Sequence, residues 1–594
     1  MAVLMGDWRR DFRCAEVGEK DIGRELTFMG WVSRVRNMGG ILFVWLRDRS
    51  GVIQLVFDAE HVDEATYRLA ESLRGEYVLA ARGTVIARDP AAVNEKLATG
   101  KIEVQVKEAK LLNESATPPI YTDDGMVENE AVRLKYRYLD LRRPSMQAML
   151  RTRSDTVNAI RNHMVKEGFV EVETPIMTKS TPEGARDFLV PSRLHPGKFY
   201  ALPQSPQIYK QLLMLSGLDR YFQFAKCFRD EDSRADRQPE FTQLDLEMSF
   251  VEPPDVQRVV EGAFAEVFKT VKGLDIRLPL QRMTWKEAMA SYGSDKPDLR
   301  FGMKIHHLNE WAAGCGFSIF ENAVANSGIV CAIKAEGAAA RLSRKDMDAL
   351  SDHVKTYHVK GLAWLALGED GSVRSSFAKY IAQERLQELF FLLSVKPGDA
   401  IFLIADEKLK ALTAMGQLRI RLGHQLGLID PQAFELLWVT EFPLLEWNDE
   451  AQRYTAAHHP FTMPMEEDFS LLEEHPEQVR AKSYDLVING IEMGSGSIRI
   501  HASDLQERMF KLLGFSHEQA WERFGFLLEA FRYGTPPHGG FAFGIDRLMM
   551  ILLGKDNLRD VIAFPKVQNA SCLMMDTPSR VAEDQLKQLR LQSE

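Results

Sequence analysis

The segment Gln243-Leu244-Asp245-Leu246-Glu247-Met248-Ser249-Phe250 alternates without a break, with Leu244, Leu246, Met248 and Phe250 on one parity and Gln243, Asp245 and Glu247 on the other. A period of two sends the two sets to opposite faces of a strand. Upstream, Phe222, Phe224 and Phe228 also share a parity. Between the two runs lies Phe228-Arg229-Asp230-Glu231-Asp232, followed by Arg237-Gln238-Pro239-Glu240-Phe241-Thr242. The pattern predicts a hairpin whose second strand has one polar face. Such a face is either solvated, the usual outcome, or a ligand platform. The hairpin by itself leaves both readings open.

With 594 residues the chain exceeds a single hydrophobic core, so roughly two to four domains are expected. A composition of 45% hydrophobic and 27% charged residues excludes a fibrous or largely disordered chain. Cys14, Cys227, Cys315, Cys331 and Cys572 form no C-x-x-C pair. That argues against a zinc site or a disulfide framework and for a reducing compartment. No apolar run reaches membrane-span length, and the start Met1-Ala2-Val3-Leu4 lacks a basic flank before an apolar stretch, so a soluble, cytoplasmic chain is expected. A net charge of -10 disfavours nonspecific coating of nucleic acid and leaves room for a local basic surface.

Short strands fill residues 26–106, with a helical stretch near 62–73 after the third. Five strands with a helix between the third and fourth match an OB-fold, a small barrel that binds single-stranded nucleic acid. Arg34 and Arg36 are expected in the first connecting loop, and Phe43, Gln54 and Arg88 offer stacking and hydrogen bonds. A plain barrel with solvated arginines is the competing account. Ser115-Ala116-Thr117-Pro118-Pro119 reads as the start of a linker. The basic, aromatic-rich run Arg133 to Arg143 reads either as a hinge touching a polyanion or as a solvated helix. A helix is expected from Gln147 to Glu167, stopped by Gly168, then a strand ending at Thr174-Pro175.

Two further segments carry candidate chemistry. In Gly539-Gly540-Phe541-Ala542-Phe543-Gly544-Ile545-Asp546-Arg547, a glycine-rich strand runs into an apolar helix, aiming free backbone N–H groups and the Arg547 cation at one place. In Tyr484 to Arg499, Asp485 and Glu492 flank small residues, a pair able to hold Mg²⁺ together with substrate phosphates. By itself the second segment is explained more simply as a solvated hairpin with a Gly-Ser turn.

Taken together, these segments resemble motifs 2 and 3 of class II aminoacyl-tRNA synthetases, and Gly168 to Pro175 resembles motif 1, the dimer interface of that family. Ser180-Thr181-Pro182-Glu183-Gly184-Ala185-Arg186-Asp187, Gln204-Ser205-Pro206-Gln207-Ile208-Tyr209-Lys210-Gln211 and Ala457-His458-His459-Pro460 are similar to the bacterial aspartyl-tRNA synthetase family. The resemblance covers nearly the whole chain. It implies an α+β multidomain protein: an OB-fold anticodon-binding domain (1–112), a hinge (113–145), an antiparallel-sheet catalytic domain in two parts (146–302 and 420–556), a GAD-type insertion (303–419) and a C-terminal extension (557–594).

The implied reaction joins L-aspartate to ATP, with Mg²⁺, and then to the 3′-end of tRNA-Asp, in a homodimer. By resemblance, Arg229, Glu492 and Arg547 are catalytic, and Asp230, Glu231, Gln238, Phe241, Gly544, Ile545 and Asp546 complete the ATP pocket with them. Lys210 and Arg499 would clamp the substrate side-chain carboxylate. Glu183, Ser205, Gln207, Asp245, His458 and His459 would hold its ammonium or close over it, and Asp485 and Glu492 would hold Mg²⁺. In the barrel, Arg34, Met38, Phe43, Gln54, Arg88 and Glu103 match anticodon-binding positions. An apolar Met38, in the expected loop Asn37 to Gly40, favours a strict enzyme. Ser495 stands where many relatives have glycine, which leaves the local backbone open. The alternatives are an enzyme that also charges tRNA-Asn, a lysyl- or asparaginyl-type relative, and an inactive tRNA-binding paralogue. The last expects erosion of Arg229, Glu231, Glu492 or Arg547, and all four are present.

Overall fold

The structure, a computed structural model, describes residues 3–126, 128–180, 185–232 and 234–591. Its contacts cluster into two compact units. One comprises Met1–Ser154, Ser233–Ala235 and Asn557–Val581, and the other Asp155–Asp232, Asp236–Asp556 and Ala582–Glu594.

In the first unit, strands Glu25–Met38, Ile41–Asp48, Gly51–Asp58, Val78–Ala87 and Ile102–Asn113 close into a barrel, with helix Glu64–Ser72 after the third strand. Closure follows from alternation: Phe28, Val32, Val44, Leu46, Ile53, Leu55, Val104 and Val106 point inward and are buried. The first strand is longer than expected. It runs through Arg34, Arg36 and Met38 and pairs Met38 with Ile41, so these residues belong to a strand and only Gly39-Gly40 form the turn. Both glycines have positive φ (66° and 98°), the backbone a two-residue hairpin turn requires.

Three arginines of the basic run turn inward, while Lys135 and Tyr138 stay exposed. Arg133, Arg137 and Arg143 converge on the fully buried Asp140 at 2.8, 2.6 and 3.1 Å. Arg137 also donates to the carbonyls of Arg559, Ile562 and Ala563, which gives the segment after Gly554 its path. One carboxylate offsets one of the three charges, and backbone carbonyls accept further donors of Arg137 and Arg143.

The second unit is built on an eight-stranded sheet in the order Gln281–Thr284, Leu436–Thr440, Ser483–Ile488, Ile491–Ile498, His538–Gly544, Glu240–Ser249, Arg220–Phe228, Val170–Glu171. Its inner pairs are antiparallel and the two outermost pairs parallel. Helix Pro253–Lys272 covers one face, with Phe264 against Phe543 at 5.0 Å between ring centroids. Between residues 284 and 436 the chain forms a separate antiparallel five-stranded sheet and helix Lys408–Gln425. Arg419, on that helix and inside the segment expected to end there, is buried and donates to the carbonyls of Asp298, Phe301, Gly302 and Met303. All five cysteines are free and buried, and among the described residues no helix is long and apolar enough to cross a membrane.

Candidate functional site

Residues that pair directly across an antiparallel ladder share a face. The registers therefore define two adjacent rows on the face opposite helix Pro253–Lys272. One is Asp485, Ser495, Ala542, Asp245, Gln223, and the next is Ser483, Ser497, Gly540, Glu247, Tyr221. The middle of this face is made of small residues flanked by carboxylates. A depression with a charged floor results.

The polar parity of the Glu240–Ser249 strand is thus not solvated: Asp245 and Glu247 are fully buried. Helix Gln207–Leu215 lays Lys210 on the floor, 3.1 Å from Asp245 Oδ1 and 3.5 Å from Glu247 Oε2. Arg499, at the end of the Ile491–Ile498 strand, grips Glu247 through Nε at 2.9 Å and Nη2 at 3.3 Å and donates to Ser497 Oγ at 2.7 Å. Glu247 is therefore the bridge between the two cations. The sequence reading did not assign it a role, although its parity with Asp245 pointed to the same face.

Burial by itself would raise the Glu247 carboxyl, but Arg499 and Lys210 outweigh it and hold it below the usual range. Burial pushes Asp245 upward against the pull of Lys210. Asp245 Oδ2, Gln207 Nε2 and Arg229 Nε are buried with no hydrogen-bond partner among the described residues. Such orphans are rare, and their gathering on one face is the signature of a ligand site. Arg229 lies over the Phe241 ring at 5.2 Å, and Phe241 pairs with Cys227 on the same parity as Asp245.

Further along the face, a register shift between Leu486 and Val487 brings Glu492 opposite Val487, on the parity of Asp485. Without that bulge, Glu492 and Ser495, three residues apart, would face opposite ways. Asp485 is buried with Oδ1 unpartnered among the described residues, and burial, then the charge of Glu492, push its carboxyl well above the usual range. A buried carboxyl raised by its neighbour, with one oxygen left without a partner among the described residues, fits a divalent cation. Ser495 is accommodated within the strand, its Oγ 3.4 Å from His458 Nδ1. His459 accepts from the Phe461 N–H, and burial, Arg499, Lys210 and His458 together push its imidazole down to about 3.

Arg547 stands in the first turn of helix Ile545–Leu553, donating to the Glu492 carbonyl at 2.9 Å. Asp546 does not face the depression freely: its carboxylate accepts from the Thr242 N–H at 2.9 Å, pinning the helix start to the hairpin. Glu231 pairs with Arg237 at 2.9 Å, and Asp230 lies 4.0 Å from Arg186. Gln238 is buried beside the hairpin, and Ser205 accepts from the Gln207 N–H. Glu183 lies outside the described residues.

On the barrel, Arg34 lies over Trp45 at 5.7 Å, Trp45 Nε1 donates to Gln54 Oε1 at 3.0 Å, Gln54 Nε2 donates to Glu103 Oε2 at 2.8 Å, and Arg88 Nε faces Glu103 at 3.6 Å. Phe43 pairs with Arg36 on the same outer face, and Met38 is 68% exposed at the strand end. Trp45 was missed by the sequence reading, although it shares the parity of Phe43.

An antiparallel sheet with a cationic floor and a helix-borne arginine, in a chain that also carries an OB-fold barrel, is the architecture of a class II tRNA synthetase. The family described as tRNA synthetases class II (D, K and N) matches residues 129–568, and the OB-fold nucleic acid binding domain matches residues 26–112. An aspartate–tRNA ligase of Ruminiclostridium cellulolyticum is 53% identical over 98% of each chain, and an aspartate–tRNA(Asp/Asn) ligase of Bacillus cytotoxicus is 55% identical over 98% of each. Among solved structures, asparaginyl-tRNA synthetase from Pyrococcus horikoshii with asparaginyl-adenylate is similar in fold, with a TM-score of 0.60 at 19% identity, covering 96% of this chain and 99% of that one. The chain belongs to the aspartate–tRNA ligase family.

Proposed function

We propose that this chain is an aspartate–tRNA ligase, and the observation that carries the reading is the buried array Lys210, Asp245, Glu247, Arg499. An aspartate side chain meets Lys210 and Arg499 there, and its ammonium meets the unpartnered Asp245 Oδ2. Asparagine differs by charge alone, and its amide would bring Lys210 and Arg499 no anion beyond the Glu247 they already share.

The aspartate α-carboxylate attacks the α-phosphorus of ATP and pyrophosphate leaves. The terminal ribose hydroxyl of the tRNA then attacks the acyl carbon, AMP leaves and the hydroxyl proton is released. No activated nucleophile is needed, so the protein aligns reactants and stabilises charge. Arg229 bridges the reacting carboxylate and the α-phosphate. Glu231 meets the adenine edge, Phe241 stacks on it, and Arg547 reaches the terminal phosphate, with Asp230, Gln238 and Gly544 to Asp546 shaping the pocket. Glu183, Ser205, Gln207, His458 and His459 close over the amino acid. Asp485 and Glu492 would hold Mg²⁺, which when bound neutralises phosphate charge.

The barrel reads the anticodon through Arg34, Met38, Phe43, Gln54, Arg88 and Glu103. A homodimer forms through the segment around Val165, Val170, Ile176 and Met177, which are exposed apolar residues at and beside the sheet edge. Relatives of similar identity carry the names aspartate–tRNA ligase and aspartate–tRNA(Asp/Asn) ligase, so charging of tRNA-Asn is the second reading. ATP–pyrophosphate exchange with single amino acids tests the first: aspartate drives it, and asparagine or lysine at equal concentration does not. Exchange driven equally by asparagine overturns it. Charging of purified tRNA-Asp and tRNA-Asn decides the second.

A further inference from the structure

We infer that Trp45 fixes the orientation of the Gln54 amide and so determines which bases the barrel accepts at one anticodon position; the inference rests on the reading of the barrel as the anticodon site. An indole N–H only donates and a carboxylate only accepts. Trp45 Nε1 and Glu103 Oε2 therefore each tolerate a single orientation of Gln54, with Oε1 toward the indole and Nε2 toward the carboxylate. Rotating the amide by half a turn loses both bonds and sets like against like. The assignment of O and N at Gln54 follows from its neighbours' chemistry.

Two bonds use half of what the amide has to offer. One lone pair on Oε1 and one hydrogen on Nε2 remain, in a fixed order. Uracil and guanine present a carbonyl beside a ring N–H, while cytosine and adenine present an amino group beside a ring acceptor, the reverse order. A fixed amide matches one order, and an amide held at Glu103 alone swings and matches both.

Two further observations point to a ligand at this place. Arg88 is 6% exposed, yet its Nε and Nη2 have no hydrogen-bond partner among the described residues, so donors stand ready beside Glu103. Arg34 lies over the Trp45 ring, and the pairings Arg34 with Trp45 and Trp45 with Gln54 put the chain of contacts on one outer row of the barrel. Trp45 acts through Gln54 and is a positioning residue.

The test uses the full chain and anticodon stem-loop RNAs carrying each of the four bases at each anticodon position, with affinities measured by fluorescence anisotropy for the wild type, Trp45→Phe, Gln54→Ala and the double variant. Trp45→Phe keeps the ring and removes the donor. It is expected to cut discrimination between uracil or guanine and cytosine or adenine by about five- to tenfold at one position, the worth of one polar contact. The other two positions stay within about twofold, and in the Gln54→Ala background the substitution changes nothing further. Unchanged discrimination in Trp45→Phe, a loss spread over all three positions, or an equal loss in the Gln54→Ala background overturns the inference. A wild-type chain that distinguishes no base at any position overturns the anticodon reading itself, and the inference with it.

Discussion

Glu247 and Gly540 sit directly opposite each other on neighbouring strands, and the missing side chain of Gly540 is the space the Glu247 carboxylate fills: a Cβ there would lie 1.9 Å from Oε2 and 2.3 Å from the Leu246 carbonyl. Position 540 is glycine because a carboxylate bridging two cations fills the space beside its Cα. Gly540→Ala is expected to destabilise the chain by ~1–3 kcal/mol through overpacking. It should also raise the aspartate KM by about tenfold, because a displaced Glu247 releases both Lys210 and Arg499. Thermal melting and steady-state exchange kinetics measure the two effects, and an unchanged KM contradicts the bridging role.

Asp485 pits stability against function. Its carboxyl is buried and pushed up by Glu492, so Asp485→Asn removes an unfavourable charge and is expected to raise the melting temperature by about 1–3 °C at pH 8. The same change should raise the Mg²⁺ concentration for half-maximal exchange by about tenfold or more. Since such a cation is held largely through substrate phosphates, EDTA is expected to stop exchange without shifting the melting temperature of the wild type. A variant less stable than the wild type, with an unaltered Mg²⁺ requirement, speaks against this account.

The hairpin's alternation was readable from sequence, and so were the five strands of the barrel with a helix after the third. Less readable was everything that depends on partners distant along the chain. Alternation places Glu247 on the face of Asp245 but cannot show that Lys210 and Arg499 arrive from either side of it. The bulge that turns Glu492 toward Asp485 leaves no compositional trace. Composition is silent on the packing of Arg133 to Arg143, because a count of cations does not reveal that one buried Asp140 collects three of them. Arg34 and Arg36 were expected in a loop since the strand's apolar alternation fades after Val32, yet pairing continues to Met38.

His459 links the site to pH. Its imidazole is held down to about 3 in the native chain, against about 6.5 when exposed. Between those values the unfolded chain binds a proton that the folded chain does not, so this contribution to stability is complete above pH 6.5 and is lost on acidification toward 3. His458 and His538, also depressed by burial, act in the same direction. Urea midpoints from pH 4 to 7 should rise with pH, and His459→Gln should flatten the slope by about one proton; an identical slope in the variant rules out this role.

The most direct measurement is aspartate-dependent ATP–pyrophosphate exchange by Lys210→Leu, run beside a melting curve and a stem-loop binding assay that report on folding. Lys210 lies within 3.5 Å of both floor carboxylates, and its loss leaves them facing the substrate's own negative charge. The account predicts that exchange falls to background, by about a thousandfold or more, while the barrel still binds RNA. Exchange near the wild-type rate would contradict the claim that this buried array selects aspartate.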